Sequence, residues 1–110
     1  MEKSKIETYL GFCVRARKIV FGVDDIVNQK KSVFLVIADE SLGESSKKDI
    51  KKSVERLHCP LLIANQDVLG LLLHRVGVKA VAIKDNNLAE AILNVAKDES
   101  QFKIYSGGNN

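Results

Sequence analysis

Apolar residues recur along this chain with two different periods. Ile6, Tyr9, Leu10, Cys13 and Val14 fall at i, i+3, i+4, i+7 and i+8, the stripe of an amphipathic helix. Ser4 precedes the stripe as an N-cap, with Glu7 three residues on to complete a capping box, and the pattern predicts a helix to about Lys18. Ile19-Val20-Phe21 is a short apolar run that pairs as a small strand, broken by Gly22. Val23, Ile26 and Val27 then face the core from a second helix, begun by Asp24 or the Gly22 backbone and reaching about Lys30.

Val33 to Ala38 is a continuous, largely β-branched apolar run, the pattern of a strand buried on both faces at the centre of a sheet. Residues 45–57 predict a third helix, with Ile50, Val54 and Leu57 inward and Lys47, Lys48, Lys51 and Lys52 outward. Cys59-Pro60 stops it, and Leu61-Leu62-Ile63 is the next strand. Asn65 is expected to cap a fourth helix through His74, followed by a loop at Val76-Gly77-Val78 and a strand over Lys79 to Lys84. Asn87 is expected to cap a last helix carrying Leu88, Ala91, Ile92 and Val95 on one face. Strands alternating with helices predict an α/β fold with helices on both faces of the sheet.

Length adds that this is one domain: 110 residues, 45% hydrophobic and 28% charged, lie within the usual globular range. The domain is expected over residues 1–103, with 104–110 as a flexible tail ending Gly107-Gly108-Asn109-Asn110. No apolar run approaches a membrane span and no secretory signal is evident, so neither a membrane partner nor export is expected. With two cysteines, Cys13 and Cys59, this points to the cytoplasm.

The formal net charge of +3 is small, but its distribution is uneven. Residues 1–31 hold seven basic and four acidic side chains, whereas 32–60 and 61–110 each hold five of both signs. The excess therefore lies in the first third, which suggests an anionic partner there or an unevenly solvated surface.

Catalytic chemistry finds little support. Gly11 and Gly22 are isolated, so no phosphate-cradling glycine loop is present. His58 and Cys59 are adjacent and diverge, with no second ligand pair for a metal. His74 lacks a placed partner and reads as a helix-end residue. Asp39 and Glu40 follow the central strand and, with Asp24, Asp25 and Lys84, offer the acidic cluster and lysine of a phosphorylated receiver domain, a minor alternative. No enzyme, metal or cofactor is expected.

Leu10-Gly11-Phe12-Cys13-Val14-Arg15-Ala16-Arg17-Lys18-Ile19-Val20-Phe21-Gly22 resembles the L-G-x-A-x-R-A-x-K-x-x-x-G signature of the kink-turn RNA-binding ribosomal-protein superfamily. That superfamily includes archaeal and eukaryotic large-subunit ribosomal proteins, the core protein of small nucleolar ribonucleoproteins and bacterial YlxQ-type homologues, the nearest in pattern. Phe34 to Ser41 looks like its L-V-I-A-x-D-x-S block. Cys59-Pro60-Leu61 sits at its proline before a strand, and Asp67 to Gly70 followed by Val81 to Ile83 is similar to its E-L-G helix and closing strand.

The resemblance implies a three-layer α-β-α sandwich with a four-stranded mixed sheet and an edge that binds sharply bent RNA, ribosomal or kink-turn-like. Gly22, Asp24, Asp25 and Asn28 occupy the positions of its G-x-N-E-x-x-K helix start. Asp24 replaces an amide, Asp25 shortens a glutamate and Asn28 replaces a lysine. Residues 74–79 match its second contact, which cradles a flipped-out nucleotide. The expected RNA-binding residues are therefore Gly22, Asp24, Asp25 and Asn28 at the bent base pairs, Arg15, Arg17, Lys18 and Arg75 at phosphates, and Val76 and Val78 at a splayed base. Ribosome or ribonucleoprotein components are the further partners the resemblance implies, and no DNA partner is expected. The alternative is a protein-interaction or regulatory module that keeps the fold and has lost kink-turn recognition, since fold alone does not decide function.

Overall fold

The computed structural model describes residues 4–105. Ten elements follow in order: α1 (Lys5–Arg15), β1 (Ile19–Phe21), α2 (Val23–Val27), β2 (Leu35–Asp39), α3 (Glu44–Leu57), β3 (Leu61–Ala64), α4 (Val68–Leu73), β4 (Ala80–Ile83), α5 (Asn86–Ala96) and β5 (Phe102–Tyr105). The strands form one mixed sheet in the order β1-β4-β2-β3-β5. Only β2 and β3 run parallel, with Val36 opposite Leu61; the β1–β4, β2–β4 and β3–β5 pairs are antiparallel.

Alternation along the strands divides the core between the two sheet faces. Leu35 and Ile37, with Val81 and Ile83, point toward α1, α4 and α5, where Ile6, Leu10, Leu69 and Ile92 are fully buried. Val36 and Ala38, with Ala80 and Ala82, point toward α2 and α3, where they meet Ile26, Ile50 and Val54. All five residues of β2 are buried, as a strand covered on both sides requires. The fold is an α/β three-layer sandwich.

The sheet has five strands rather than four. Ile104 and Tyr105, expected in the tail, belong to β5, which pairs Phe102 to Tyr105 against Ala64 to Leu61. Residues 106–110 of the expected tail lie outside the described residues.

Helix ends also differ from the expected ones, for reasons visible in the backbone. α1 stops at Arg15 rather than Lys18 because Arg17 turns left-handed at φ 58°. Its N–H then reaches Val14 O (3.1 Å) and that of Lys18 reaches Cys13 O (2.9 Å), a Schellman closure without glycine. His58 and His74 close α3 and α4 in the same way, at φ 55° and 57°. α2 ends at Val27 rather than Lys30, where Arg56 of α3 donates both guanidinium arms to the carbonyls of Val27 and Gln29. β2 begins at Leu35 rather than Val33, after a left-handed Ser32.

The N-caps shift as well. Asp67, not Asn65, stands at the N-cap of α4, and Asp85, not Asn87, caps α5 through Oδ1 to Leu88 N (2.8 Å). Ser4 caps α1 by accepting from Ile6 N (3.1 Å) and donates its hydroxyl to Glu99. Glu7 does not close the expected capping box; its side chain meets His74 instead.

Candidate functional site

Gly22 leaves β1 at φ 94°, ψ 149°, a conformation essentially reserved for glycine. A Cβ there would meet nothing within 4 Å, so conformation rather than crowding demands the glycine. Its N–H donates to Ala80 O (2.9 Å), which fixes the turn to the start of β4, and its carbonyl accepts from Ile26 N. Asp24 and Asp25 follow in the first turn of α2, both exposed. With Phe21, Gly22 and Ser46 they line one open hollow. Asn28 is the exposed C-cap of α2.

The second block is the turn from α4 to β4. A Cβ on Gly70 would stand 2.9 Å from Arg75 O and 3.5 Å from Gly77 N, so only glycine lets α4 pack directly on this turn. Arg75 N donates to Gly70 O at 2.9 Å across the same contact. Gly77 sits at φ 91°. Val76 is completely exposed and Leu71 is 73% exposed. Both line a cavity of about 340 Å³, together with Val68, Gly70, Gly77 and Val78. These two large apolar side chains stand in water beside the cavity and take no part in the core.

Arg75 joins the two blocks. Its guanidinium carbon lies 4.4 Å from the centroid of the Phe21 ring, within cation–π range and next to Gly22. Arg15 stacks in the same way on Phe12, at 5.0 Å, and shares a hollow with Arg75, His74 and Glu7. His74 Nε2 lies 2.6 Å from Glu7 Oε2, which ties the end of α4 to α1.

Arg17 and Lys18 are exposed but stand apart from this group. Lys18 O accepts from Lys84 N at the far end of β1, while Gly22 bonds to Ala80 at the near end. At roughly 3.3 Å per residue, the four steps between Lys18 and Gly22 are about 13 Å. The structure thus brings Gly22, Asp24, Asp25, Arg15, Arg75, Val76 and Val78 to one edge. It leaves Arg17 and Lys18 at the other end of the strand.

Beneath the edge lies a polar cluster that sequence reasoning did not assemble. Asp39, 1% exposed, ends β2. Its Oδ1 accepts from Ser41 N (2.8 Å) and Ser41 Oγ (2.6 Å), and its Oδ2 from Asp67 N (2.7 Å). Lys79 Nζ lies 3.8 Å from Asp39, 3.1 Å from Asp67 Oδ1 and 3.0 Å from Ser41 Oγ. Burial pushes the Asp39 carboxyl up, but the Ser41 and Asp67 donors and the Lys79 charge outweigh it and hold the carboxyl below its usual value. The cluster therefore fastens the end of β2 and the starts of α4 and β4 together beside the two candidate blocks.

The only trace of this cluster in the sequence is the Asp-Glu-Ser block at the strand end, an Asx-turn signal. Lys84, the lysine expected beside Asp39 in a receiver-type cluster, bonds to Gln29 Oε1 instead (2.7 Å). Among the described residues, no group of three or more His, Cys, Asp or Glu side chains is placed to hold a metal ion. Cys13 and Cys59 are both free.

No protein-family model matches the chain, and no curated protein matches it. Solved structures do. One is a protein with unknown function from Bacillus halodurans C, 24% identical, with a TM-score of 0.74 over 88% of this chain and 100% of that one. The likeness establishes the fold and extends over nearly all of it, so the sandwich described above is a recurrent architecture. No described helix is long and apolar enough to cross a membrane.

Proposed function

We propose that this chain is a non-enzymatic, cytoplasmic RNA-binding protein that recognises structured RNA of the ribosomal or kink-turn kind. The observation that carries the reading is the stacking of Arg75 on Phe21, 54 positions earlier in the chain and beside Gly22, which unites two sequence blocks in one edge. That edge has the chemical parts a bent RNA requires. Gly22 admits a close backbone approach. Asp24 and Asp25 offer carboxylates to the N–H groups of guanine. Arg15 and Arg75 place delocalised cations for phosphate. Val76, Val78 and Leu71 give an unpaired base an apolar seat.

Aspartates at positions 24 and 25 repel a phosphate backbone, so recognition at α2 rests on base edges and shape, with phosphate contact left to the two arginines. The test is fluorescence-anisotropy titration with a kink-turn RNA and a straight duplex of equal length, at two salt concentrations. Preference for the kinked RNA that persists at the higher salt is expected. Equal weak binding to both removes the kink-turn reading, and no binding to either at low salt favours the protein-interaction module.

A further inference from the structure

The second sheet face is not fully covered. α2 and α3 pack on it, yet β5 is an edge strand, and among the described residues the strip between α3 and β5 is open. A cavity of about 160 Å³ lies there, walled by Leu42, Ile50, Ile63 and Tyr105 and bordered by Lys47 and Lys51 of α3. Lys51 Nζ sits 4.9 Å from the centroid of the Tyr105 ring, at the mouth of the cavity. Strand alternation puts Lys103 on the same face as Tyr105.

Charge at this groove is unbalanced. Of the two acids that line it, Asp39 is paired with Lys79 (3.8 Å), which leaves the single charge of Glu40, hydrogen-bonded to Gln66 N (2.9 Å), against those of Lys47 and Lys51. Lys47, Lys48, Lys51 and Lys52 have no carboxylate within 4.0 Å among the described residues. An apolar slot with an aromatic wall and unpaired ammonium groups at its mouth complements a planar apolar ring carrying an anionic group. The cavity is smaller than the roughly 300–1,000 Å³ that encloses drug-sized ligands, which suits one base and not a folded peptide segment.

The groove also neighbours the proposed RNA edge. Ser46 lines the hollow at Gly22 to Asp25, and the next residue, Lys47, lines the groove, so the first turn of α3 stands between them. We infer that the groove between α3 and β5 holds one unpaired nucleotide of single-stranded RNA, its base against Tyr105 and its phosphates at Lys47 and Lys51. This rests on the RNA-binding reading and lengthens its contact. A strand leaving the bent RNA at Gly22 crosses the start of α3 and inserts its base there. It also places basic contacts on α3, where α2 offers two aspartates.

The experiment is titration of the ¹⁵N-labelled chain with a single-stranded tetra-adenylate, followed by the amide shifts. Shifts concentrated at 47–51 and 103–105 are expected. Tyr105→Leu, with its fold verified by circular dichroism, is expected to bind about fivefold or more weakly, the scale of one lost base stack. Lys47→Gln with Lys51→Gln is expected to flatten the salt dependence by about one ion. Absence of shifts in the groove overturns the inference, and so does an acidic peptide with one phenylalanine that moves the same amides at lower concentration. A blunt kink-turn RNA run in parallel separates the two readings. Preference for it over straight duplex without any groove response to tetra-adenylate removes the groove alone, while groove binding without that preference removes the kink-turn edge.

Discussion

The α-carbon of Gly70 faces the carbonyl oxygen of Arg75 so closely that a Cβ on Gly70 would stand 2.9 Å from it. The obstacle is backbone, which cannot swing aside, and the same turn carries Arg75, Val76 and Val78. Gly70→Ala would ordinarily gain helix stability, by about 0.5–1 kcal/mol. Here the crowding is expected to outweigh that gain, with a net loss of about 1–3 kcal/mol in urea unfolding and weaker RNA binding in the surviving fold. A more stable variant would show that the turn gives way easily.

Asp39 makes stability depend on pH. Its carboxyl lies below the usual value when folded, so the folded chain holds its proton less tightly than the unfolded one. The stabilisation is fully present above about pH 4, the ordinary aspartate range, and is lost as pH falls through the lower folded value. Asp39→Asn is expected to cost about 1–3 kcal/mol at pH 7, and its denaturation midpoint is expected to fall less steeply than that of the wild type below pH 4. Identical slopes in the two proteins would locate the acid sensitivity elsewhere.

Both thiols are poorly reactive for a common reason. Burial pushes Cys13 up to about 11, with the nearby Asp85 charge adding to it, and burial alone pushes Cys59 up to about 11. Thiolate is the reactive form, so a thiol-disulfide reagent at pH 7.5 is expected to modify Cys59 slowly. Cys13, fully buried, is expected to react only when guanidinium unfolds the chain. Rapid modification of two thiols in native buffer would contradict the packing of α1.

The separation of the basic residues along β1 makes a differential test. Arg75→Glu is expected to weaken binding of kink-turn RNA about tenfold or more, since it removes a cation and adds a charge at the shared edge. Lys18→Glu, at the far end of β1, is expected to change it less than about threefold. Equal losses would mean that binding follows overall charge and not this edge.

Much of this architecture is legible in the sequence because it is written in side-chain period. The stripe from Ile6 to Val14, the unbroken apolar run of β2 and the Ile50–Val54 face of α3 each specify their element and its burial. What escapes is set by the backbone and by distant partners. Arg17, His58 and His74 close helices in the left-handed conformation without glycine, so nothing in their residue type marks the ends. Phe102-Lys103-Ile104-Tyr105 does alternate, but four residues beside a glycine-rich end carry a weak signal until β3 supplies the pairing.

At the candidate site the sequence blocks identify residues but not their grouping. Arg15, Arg17 and Lys18 are near neighbours in the chain, yet the Arg15 side chain lies along α1 in the hollow that Arg75 also lines, while Lys18 bonds to Lys84 where β1 begins. Asp39, Asp67 and Lys79 are scattered in the chain and meet only because parallel β2 and β3 bring their ends beside the start of β4.

The claim that Gly22 and the 75–78 turn form a single RNA-binding edge is tested most directly by amide shift mapping with a blunt kink-turn RNA. Concerted shifts of Gly22, Asp24 and Asp25 together with Arg75, Val76 and Val78, at one common affinity and with Arg17 and Lys18 unmoved, are the expected result. Shifts confined to one block, or centred on Arg17 and Lys18, would contradict it.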